Sequence, residues 1–416
     1  MRRSSSCCSI LAILVMLAIA AALAGCGGGS GGGVTTKTYG GADPKGDYIA
    51  VTIDSSAGTL TYHNYTTDEH YGPYAFSRIT DPARNFGFQN LYATGVIPAY
   101  PTPNCYAEFV LMDGVALILQ MFDQGATPDI YDDDTPDGNP IFAYYRRAVD
   151  MTDYRGQVFN WVGYEMGADA GNFEVGCAAF DTNATDPAGR LYGGGYNRRA
   201  EVEYPGWAGY NDRGMRDIND TGLGTSSFTY DADLVANTAG SLTLIGTDSG
   251  DFILDRGPGA GAGFALRQAA AKEWQTAYNG TYFAFIYKNN AGAQEVSPMK
   301  VVLSGGGFAA YEPISAASPS LTGSFTDIET FPEGPCPPGG DPMTFAAQLQ
   351  AISGCNGAEA AAVRNAYRCR GGFVATVDDR VVYLMLDPAG RYLCFASFEE
   401  GTNHYAFGFG IKDPEY

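Results

Sequence analysis

The amino-acid sequence predicts a mainly β fold: an antiparallel, hairpin-rich sandwich, barrel or propeller with a few short helices. Three observations support this class. Short turn sequences ending in or near glycine recur along the chain, β-branched and aromatic residues alternate on both sides of them, and helical periodicity is confined to three stretches. Alternation of this kind, bounded by turns, is typical of antiparallel hairpins, and we expect more than a dozen strands between Tyr48 and Ile411.

The turn sequences share polar or proline residues, followed by a small residue and glycine. They are DPAGR at 186–190 and 387–391, SSAG at 55–58, ADAG at 168–171, TDSG at 247–250 and NNAG at 289–292. Proline at the second position and glycine at the fourth suit a type I turn, in which glycine supplies the left-handed backbone. Each turn therefore predicts a hairpin between the strands that flank it.

The chain begins with a predicted export signal. Arg2 and Arg3 precede an apolar run at 10–24, which covers about 22 Å as a helix and is too short for the ~30 Å bilayer core. The sequence LAGC at 23–26 resembles the lipobox of bacterial lipoproteins. The resemblance implies cleavage before Cys26, acylation of its sulfur with diacylglycerol and, because Gly27 follows in place of aspartate, an outer-membrane destination. The alternative is an ordinary cleaved signal with an incidental cysteine.

The remaining chain divides by composition. Residues 26–45 are predicted to form the lipidated cysteine and a Gly/Ser tether with a reach of roughly 25 Å. Residues 46–330 are predicted to form the main antiparallel β domain, and the Pro/Gly-rich stretch 331–342 a linker. Residues 343–416 would be two helices followed by strands, as either a small domain or the completion of the main one.

Three stretches have helical periodicity. The first, 264–280, places Leu266, Ala270, Trp274 and Tyr278 on one face, and the glycine-rich sequence DRGPGAGAGF before it predicts a flexible entry. The other two are 344–352 and 358–368. All three are expected to be short helices added to the β framework.

Charge restricts the partners. The net charge is −21, and removal of residues 1–25, which hold two arginines and no acid, makes it −23. Such a chain repels phosphate backbones, so we expect no nucleic-acid partner. The expected contacts are the membrane through the N-terminal lipid and, as ligand, a carbohydrate or another envelope protein.

Six cysteines remain after Cys26, an even number that favours disulfides in an exported chain. A helix at 358–368 would hold Cys355 and Cys369 farther apart than the ~7 Å that a bridge allows. The predicted pairs are Cys105–Cys177, Cys336–Cys355 and Cys369–Cys394. There is no CxxC spacing of a redox or zinc site.

Two segments are candidate binding sites. In DIYDDDTPDGNP, 129–140, Asp133, Thr135 and Asp137 alternate before Gly138 as calcium ligands do, with a weaker copy at 217–222. The twelfth position is Tyr144 and not glutamate, so a solvated acidic turn is the alternative. Calcium is the one cofactor that the sequence suggests.

The second candidate binding site is an aromatic, glycine-rich stretch at 191–214. Tyr204, Trp207, Tyr210 and Asp212 combine flat rings with a polar group, as stacking on sugar rings requires. The alternative is an aromatic surface loop that packs on its own sheet.

Catalytic signatures are missing from the sequence. The three histidines form no HExxH motif and there is no GxSxG elbow, although His63 and His70 flank NYTTDE, where Asp68 and Glu69 could join them at a metal ion. The sequence therefore predicts a lipid-anchored cell-envelope protein that acts as a binding or structural module. The alternative is an envelope hydrolase acting on polysaccharide through paired carboxylates.

Overall fold

Antiparallel strands make up nearly all of the structure, a computed structural model. It describes residues 36–97, 105–124, 134–145, 157–165, 172–180, 191–197, 215–220, 225–230, 240–246, 250–255, 257, 259, 261–290, 293–328, 370–399 and 404–414. Within these ranges the helical segments are α1 at Pro82–Asn85 and a 3-10 turn at Thr276–Tyr278. The predicted fold class is confirmed. None of these described helical segments has the length and apolarity needed to cross a membrane.

The first sheet is a closed barrel of eight strands in sequence order, with α1 between the fourth and the fifth. The strands are β1 Thr36–Ala42, β2 Tyr48–Asp54, β3 Thr59–Asn64, β4 Glu69–Arg78, β5 Leu91–Thr94, β6 Cys105–Met112, β7 Ala116–Asp123 and β8 Thr135–Tyr145. Pairing of β1 with β8, with Gly41 opposite Ala143, closes the barrel. Large side chains such as Ile53, Phe109 and Leu119 fill its interior.

The second sheet has eight strands in the order β11-β10-β9-β16-β15-β14-β13-β12. They are β9 Val158–Glu165, β10 Asn172–Phe180, β11 Leu191–Asn197, β12 Met215–Asp220, β13 Thr225–Tyr230, β14 Gly240–Gly246, β15 Phe252–Asp255 and β16 Gly261–Arg267. The crossover from β11 to β12 lets β16 pair with β9, so this sheet is not a simple meander.

The third sheet has nine strands in the order β20-β19-β18-β17-β25-β24-β23-β22-β21. They are β17 Gly280–Asn290, β18 Ala293–Ser304, β19 Gly307–Tyr311, β20 Leu321–Ser324, β21 Thr326–Asp327, β22 Gly372–Val377, β23 Arg380–Leu386, β24 Tyr392–Glu399 and β25 His404–Lys412. Its two edge strands, β20 and β21, are separated in the chain by Phe325 alone. The sheet therefore rolls up until its edges meet, and one face becomes an interior.

Aromatic side chains from the three sheets share one core. The ring of Phe142 on β8 lies 5.5 Å from Phe264 on β16 and 5.8 Å from Phe407 on β25, measured between centroids. Tyr164 on β9 meets Tyr287 on β17 edge to face at 4.9 Å. Edge-to-face pairs at these separations add to the hydrophobic gain from burial. Residues 36–416 accordingly form one compact unit.

The six predicted turns all lie at junctions between consecutive strands that pair with one another. These pairs are β2 with β3, β9 with β10, β10 with β11, β14 with β15, β17 with β18 and β23 with β24. In the turn at 387–391, Gly390 has a positive φ of 68° and Arg391 makes a two-pronged ion pair with the buried Asp387. Turn chemistry thus predicted these hairpins correctly.

The stretch assigned to the tether, 26–45, contains strand β1, so at most residues 26–35 are left for it. The error has a steric cause. A Cβ atom on Gly41 would lie 1.9 Å from the carbonyl oxygen of Phe142, so β1 has small residues where β8 approaches closely. Small residues required by this contact resemble a flexible linker when only the sequence is considered.

The predicted helix at 264–280 is wrong. Its first residues belong to β16, and its only helical turn is the 3-10 segment near its end. Gly263 is close-packed: a Cβ atom there would lie 2.0 Å from the indole ring of Trp161 on β9. The glycine makes room for a side chain and does not provide a flexible helix entry. The predicted helices at 344–352 and 358–368 lie outside the described residues.

Strands β22–β25, which follow the predicted linker in the chain, join the same sheet as β17–β21, which precede it. The linker itself, 331–342, lies outside the described residues. The boundaries of this linker therefore stay predictions.

The predicted bridge between Cys369 and Cys394 is absent, because Cys394 is a free thiol. Its side chain is buried on β24 in the shared apolar core, where burial raises the pKa of the thiol and the sulfur packs as an apolar group. Cys105 is buried at the start of β6. The side chains of Cys177, Cys336, Cys355 and Cys369 lie outside the described residues, so the pairs Cys105–Cys177 and Cys336–Cys355 stay predictions.

Candidate functional site

The rolled nine-stranded sheet encloses a cavity of about 110 Å³. Alternation along the strands positions its lining, because every second side chain points inward. The apolar lining includes Ile286, Met299, Val301, Phe308, Ala310 and Phe395. The other face of β17 carries Phe283 and Phe285, which pack into the core shared with the barrel. One face of β17 therefore belongs to the shared core, and the other face lines the cavity.

Charged side chains surround the mouth of this cavity. Lys288 on β17 forms an ion pair with Glu312, which also accepts a hydrogen bond from Ser297 at 2.5 Å. Burial lowers the pKa of Lys288, and the negative charge of Glu295, whose carboxylate lies 3.8 Å away, opposes that shift.

The carboxylate of Glu399 on β24 lies 3.9 Å from the guanidinium of Arg380 on β23. The mouth is therefore polar and charge-paired, while the interior is apolar.

A second, polar cavity of about 580 Å³ lies beside the closed barrel, next to β4 and α1. Its lining includes Arg84, Tyr106 and Asp134, and the Tyr106 hydroxyl donates to Asp134 at 2.6 Å. Burial, with a further contribution from Glu108, raises the pKa of Tyr106. Arg84 also lies 3.6 Å from the fully buried carboxylate of Glu108, so its charge stabilises an acid inside the protein.

Two of the three predicted calcium residues belong to one strand. Thr135 and Asp137 are residues of strand β8, and Asp133 lies outside the described residues. Asp137 is close to Asp123 and Cys105, with one ligand atom of each within 4.8 Å of the others. Burial and then the negative charge of Asp123 raise the pKa of Asp137. Calcium binding at 129–140 stays a prediction, as does the copy at 217–222, of which residues 217–220 lie in β12.

Two other groups of predicted residues have different outcomes. Tyr204, Trp207, Tyr210, Asp212 and Cys26 all lie outside the described residues, so sugar stacking and lipidation stay predictions. His63, Asp68 and His70 are brought together at one end of the barrel, each contributing a ligand atom within 4.8 Å of the others. Glu69, in contrast, accepts a hydrogen bond from the Thr67 hydroxyl at 2.9 Å.

The apolar cavity was not predicted from the sequence. One signal for it is present: GTYFAFIYKNN in β17 and YLCFASFE in β24 have apolar residues at both alternating sets of positions. Strands of this kind are buried on both faces. That pattern indicates two packed faces, but it cannot show that one of them borders a void.

Comparisons with known proteins add little. No family model matches the sequence and no curated protein is similar to it. Solved structures of transferrin binding protein B show weak similarity. The protein from Haemophilus parasuis has 9% identity over 91% of this chain and 76% of that one, with a TM-score of 0.26. The protein from Neisseria meningitidis has 10% identity over 88% and 66%, with a TM-score of 0.23. TM-scores this low support no inference about the fold or the function of this chain.

Proposed function

We propose that this protein is a lipid-anchored binding module of the cell envelope and that its ligand site is the cavity of the nine-stranded sheet. The observation that carries the proposal is an apolar interior that opens at a charge-paired mouth. Barrel mouths with apolar walls and a few polar groups at the entrance are common ligand sites.

The cavity supports an apolar ligand. Its volume of about 110 Å³ is of the same order as the ~150 Å³ engineered cavity that binds benzene. Burial of a ring or a short acyl segment would favour binding by about 25 cal/mol for each Å² of apolar surface removed from water. Lys288 and Arg380 each have an acidic partner, so a bound ligand needs no anionic group to neutralise them.

The lipobox supports the anchoring part of the proposal. Acylated Cys26 would hold the protein at the outer membrane, and the remaining tether, at most residues 26–35, would keep the folded unit close to the lipid surface. A binding site for apolar groups would then lie near the layer in which such groups are most concentrated.

A pair of leucine substitutions on β19 tests the cavity. Ala310 lines it, whereas its neighbour Ala309 does not, and alternation along the strand turns the two side chains to opposite faces. In the unlipidated mature chain carrying Cys26→Ser, Ala310→Leu should weaken binding of an apolar fluorescent probe by about tenfold, or ~1.4 kcal/mol, because leucine occupies the space. Ala309→Leu should leave the affinity unchanged, as measured by fluorescence titration.

Two results would contradict the proposal: no saturable probe binding by the parent chain, or equal losses in both variants. The hydrolase alternative needs two carboxyl groups available at one cavity. Glu312 and Glu399 line the apolar cavity, but they form ion pairs with Lys288 and Arg380. Asp81 and Asp134 line the polar cavity, where they accept hydrogen bonds from the Ala83 N–H and the Tyr106 hydroxyl. The apolar cavity therefore favours the binding module.

A further inference from the structure

The hairpin formed by β3 and β4 brings two histidines together on the closed barrel. His63 and His70 are directly opposite in the strand register. Their rings lie 3.5 Å apart between centroids, with 27° between the planes. The His63 ring also contacts the ring of Tyr65, at a centroid distance of 3.7 Å. Cross-strand pairing therefore holds the two imidazoles side by side.

The turn of the hairpin adds a carboxylate. The Asn64 side chain accepts hydrogen bonds from the backbone N–H groups of Thr66 and Thr67, at 2.9 and 3.2 Å. Asp68 follows in the left-handed conformation, with a φ of 58°. This conformation carries the Asp68 Oδ1 atom to 3.8 Å from Nε2 of His63 and 3.7 Å from Nε2 of His70.

These distances do not correspond to hydrogen bonds, which need about 2.7–3.2 Å between nitrogen and oxygen. The His63 Nε2 atom is buried and has no hydrogen-bond partner. Burial, and then the charge of His70, lower the pKa of His63, which Asp68 partly opposes. The Nε2 atom of His63 is therefore a buried polar atom without a partner, close to the Asp68 carboxylate.

We propose that His63, Asp68 and His70 bind a divalent transition-metal ion, for which Zn²⁺ is the probe of choice. Zinc lies about 2.0–2.2 Å from nitrogen and oxygen ligands, so two ligand atoms of one ion are at most ~4.4 Å apart. Both distances from Asp68 meet this limit. The unpartnered nitrogen of His63 gains its missing partner when the ion binds.

The donor set and the surrounding charge define the ion class. Two imidazoles with one carboxylate suit zinc, copper or nickel, whereas calcium and magnesium prefer oxygen ligands. The net charge of −21 raises the local concentration of cations around the protein. Glu69, the next residue after Asp68, adds a further negative charge at the hairpin.

The test is calorimetric titration of Zn²⁺ into the untagged, unlipidated mature chain carrying Cys26→Ser. His70 and Asp68 have side chains that are 62% and 92% exposed, so His70→Gln and Asp68→Asn should fold normally, and asparagine tolerates the left-handed conformation. Each should weaken a one-to-one binding event at least tenfold. His404 lies on a different sheet and is the third histidine of the chain, which makes His404→Gln the matched control.

Nuclear magnetic resonance of the three imidazoles supplies a second measurement. One equivalent of Zn²⁺ should shift the ring nitrogen signals of His63 and His70 and leave those of His404 in place. The proposal is overturned if the parent chain binds no zinc, or if His404→Gln reduces the affinity as much as His70→Gln does. It is also overturned if zinc binds without moving the His63 and His70 signals.

Discussion

Asp255 is a buried carboxyl group that the fold holds near two other acids. Its residue is 6% exposed on β15, and its Oδ1 atom accepts a hydrogen bond from the Gly257 N–H at 2.8 Å. Burial, with a smaller contribution from the charges of Asp43 and Asp47, raises the pKa of Asp255 to about 7, and the hydrogen bond from Gly257 opposes this shift. An acid whose pKa is higher in the folded state stabilises folding only while it is protonated.

The expected pH dependence follows from the sign of this shift. The unfolded pKa is about 3.9, so the contribution of Asp255 is fully present below pH ~4 and is lost as the pH rises through about 7. Asp255→Asn keeps the acceptor for Gly257 and removes the charge. It should raise the free energy of unfolding by a few kcal/mol at pH 8, because each unit of pKa shift corresponds to ~1.4 kcal/mol. The increase should be smaller at pH 4.5.

Denaturant unfolding at the two pH values measures this difference. Asp379, an exposed acid in the turn between β22 and β23, provides the control, since Asp379→Asn should change both values by less than about 0.5 kcal/mol. A gain for Asp255→Asn that is the same at both pH values would show that the charge of Asp255 is not responsible.

At the scale of elements, the closing contact of the eight-stranded barrel depends on β1. Gly41 lies opposite Ala143, and a Cβ atom there would meet backbone atoms of Phe142 and Ala143 at 1.9–2.7 Å. Backbone cannot move aside as the end of a flexible side chain can. The pairing of β1 with β8 therefore requires glycine at this position, even though its φ is unremarkable for other residues.

Gly41→Ala should accordingly destabilise the protein by about 1–3 kcal/mol, the usual cost of forcing extra atoms into a packed site. Gly95, which follows β5, is the matched control, because a Cβ atom there would meet nothing within 4 Å. Thermal and denaturant unfolding of the two variants provide the measurement. Equal behaviour of Gly41→Ala and Gly95→Ala would mean that the barrel can open at β1 without loss of stability.

At the scale of the whole molecule, the proposed attachment to the membrane rests on one residue, Cys26, ahead of the folded unit. If the lipobox is processed as its resemblance implies, Cys26→Ser should move the protein from the membrane fraction to the soluble fraction, because a lipid chain contributes about 0.8 kcal/mol for each buried methylene. Fractionation, with mass spectrometry of the N-terminal peptide, measures both consequences. A serine variant that stays in the membrane fraction would show that another part of the protein binds the membrane.

Local chemistry in the sequence was enough to predict the antiparallel β class, because turn residues and strand alternation act over only a few positions. All six turns, including DPAGR at 387–391, join strands that pair. The positions of His63 and His70 on either side of NYTTDE likewise suggested that they could share a metal ion, and the strand register places the two residues directly opposite each other.

Only the tertiary structure decided what depends on contacts between distant segments. Small residues at Gly41 and Gly263 suggested a tether and a flexible entry to a helix, yet each makes room for a group from another strand. The cavity arises because β20 and β21, which are neighbours in the chain, form the two opposite edges of the nine-stranded sheet. The sheet must roll up to bring these edges together. A void of this kind depends on how the walls curve, and local alternation of apolar residues contains no information about curvature.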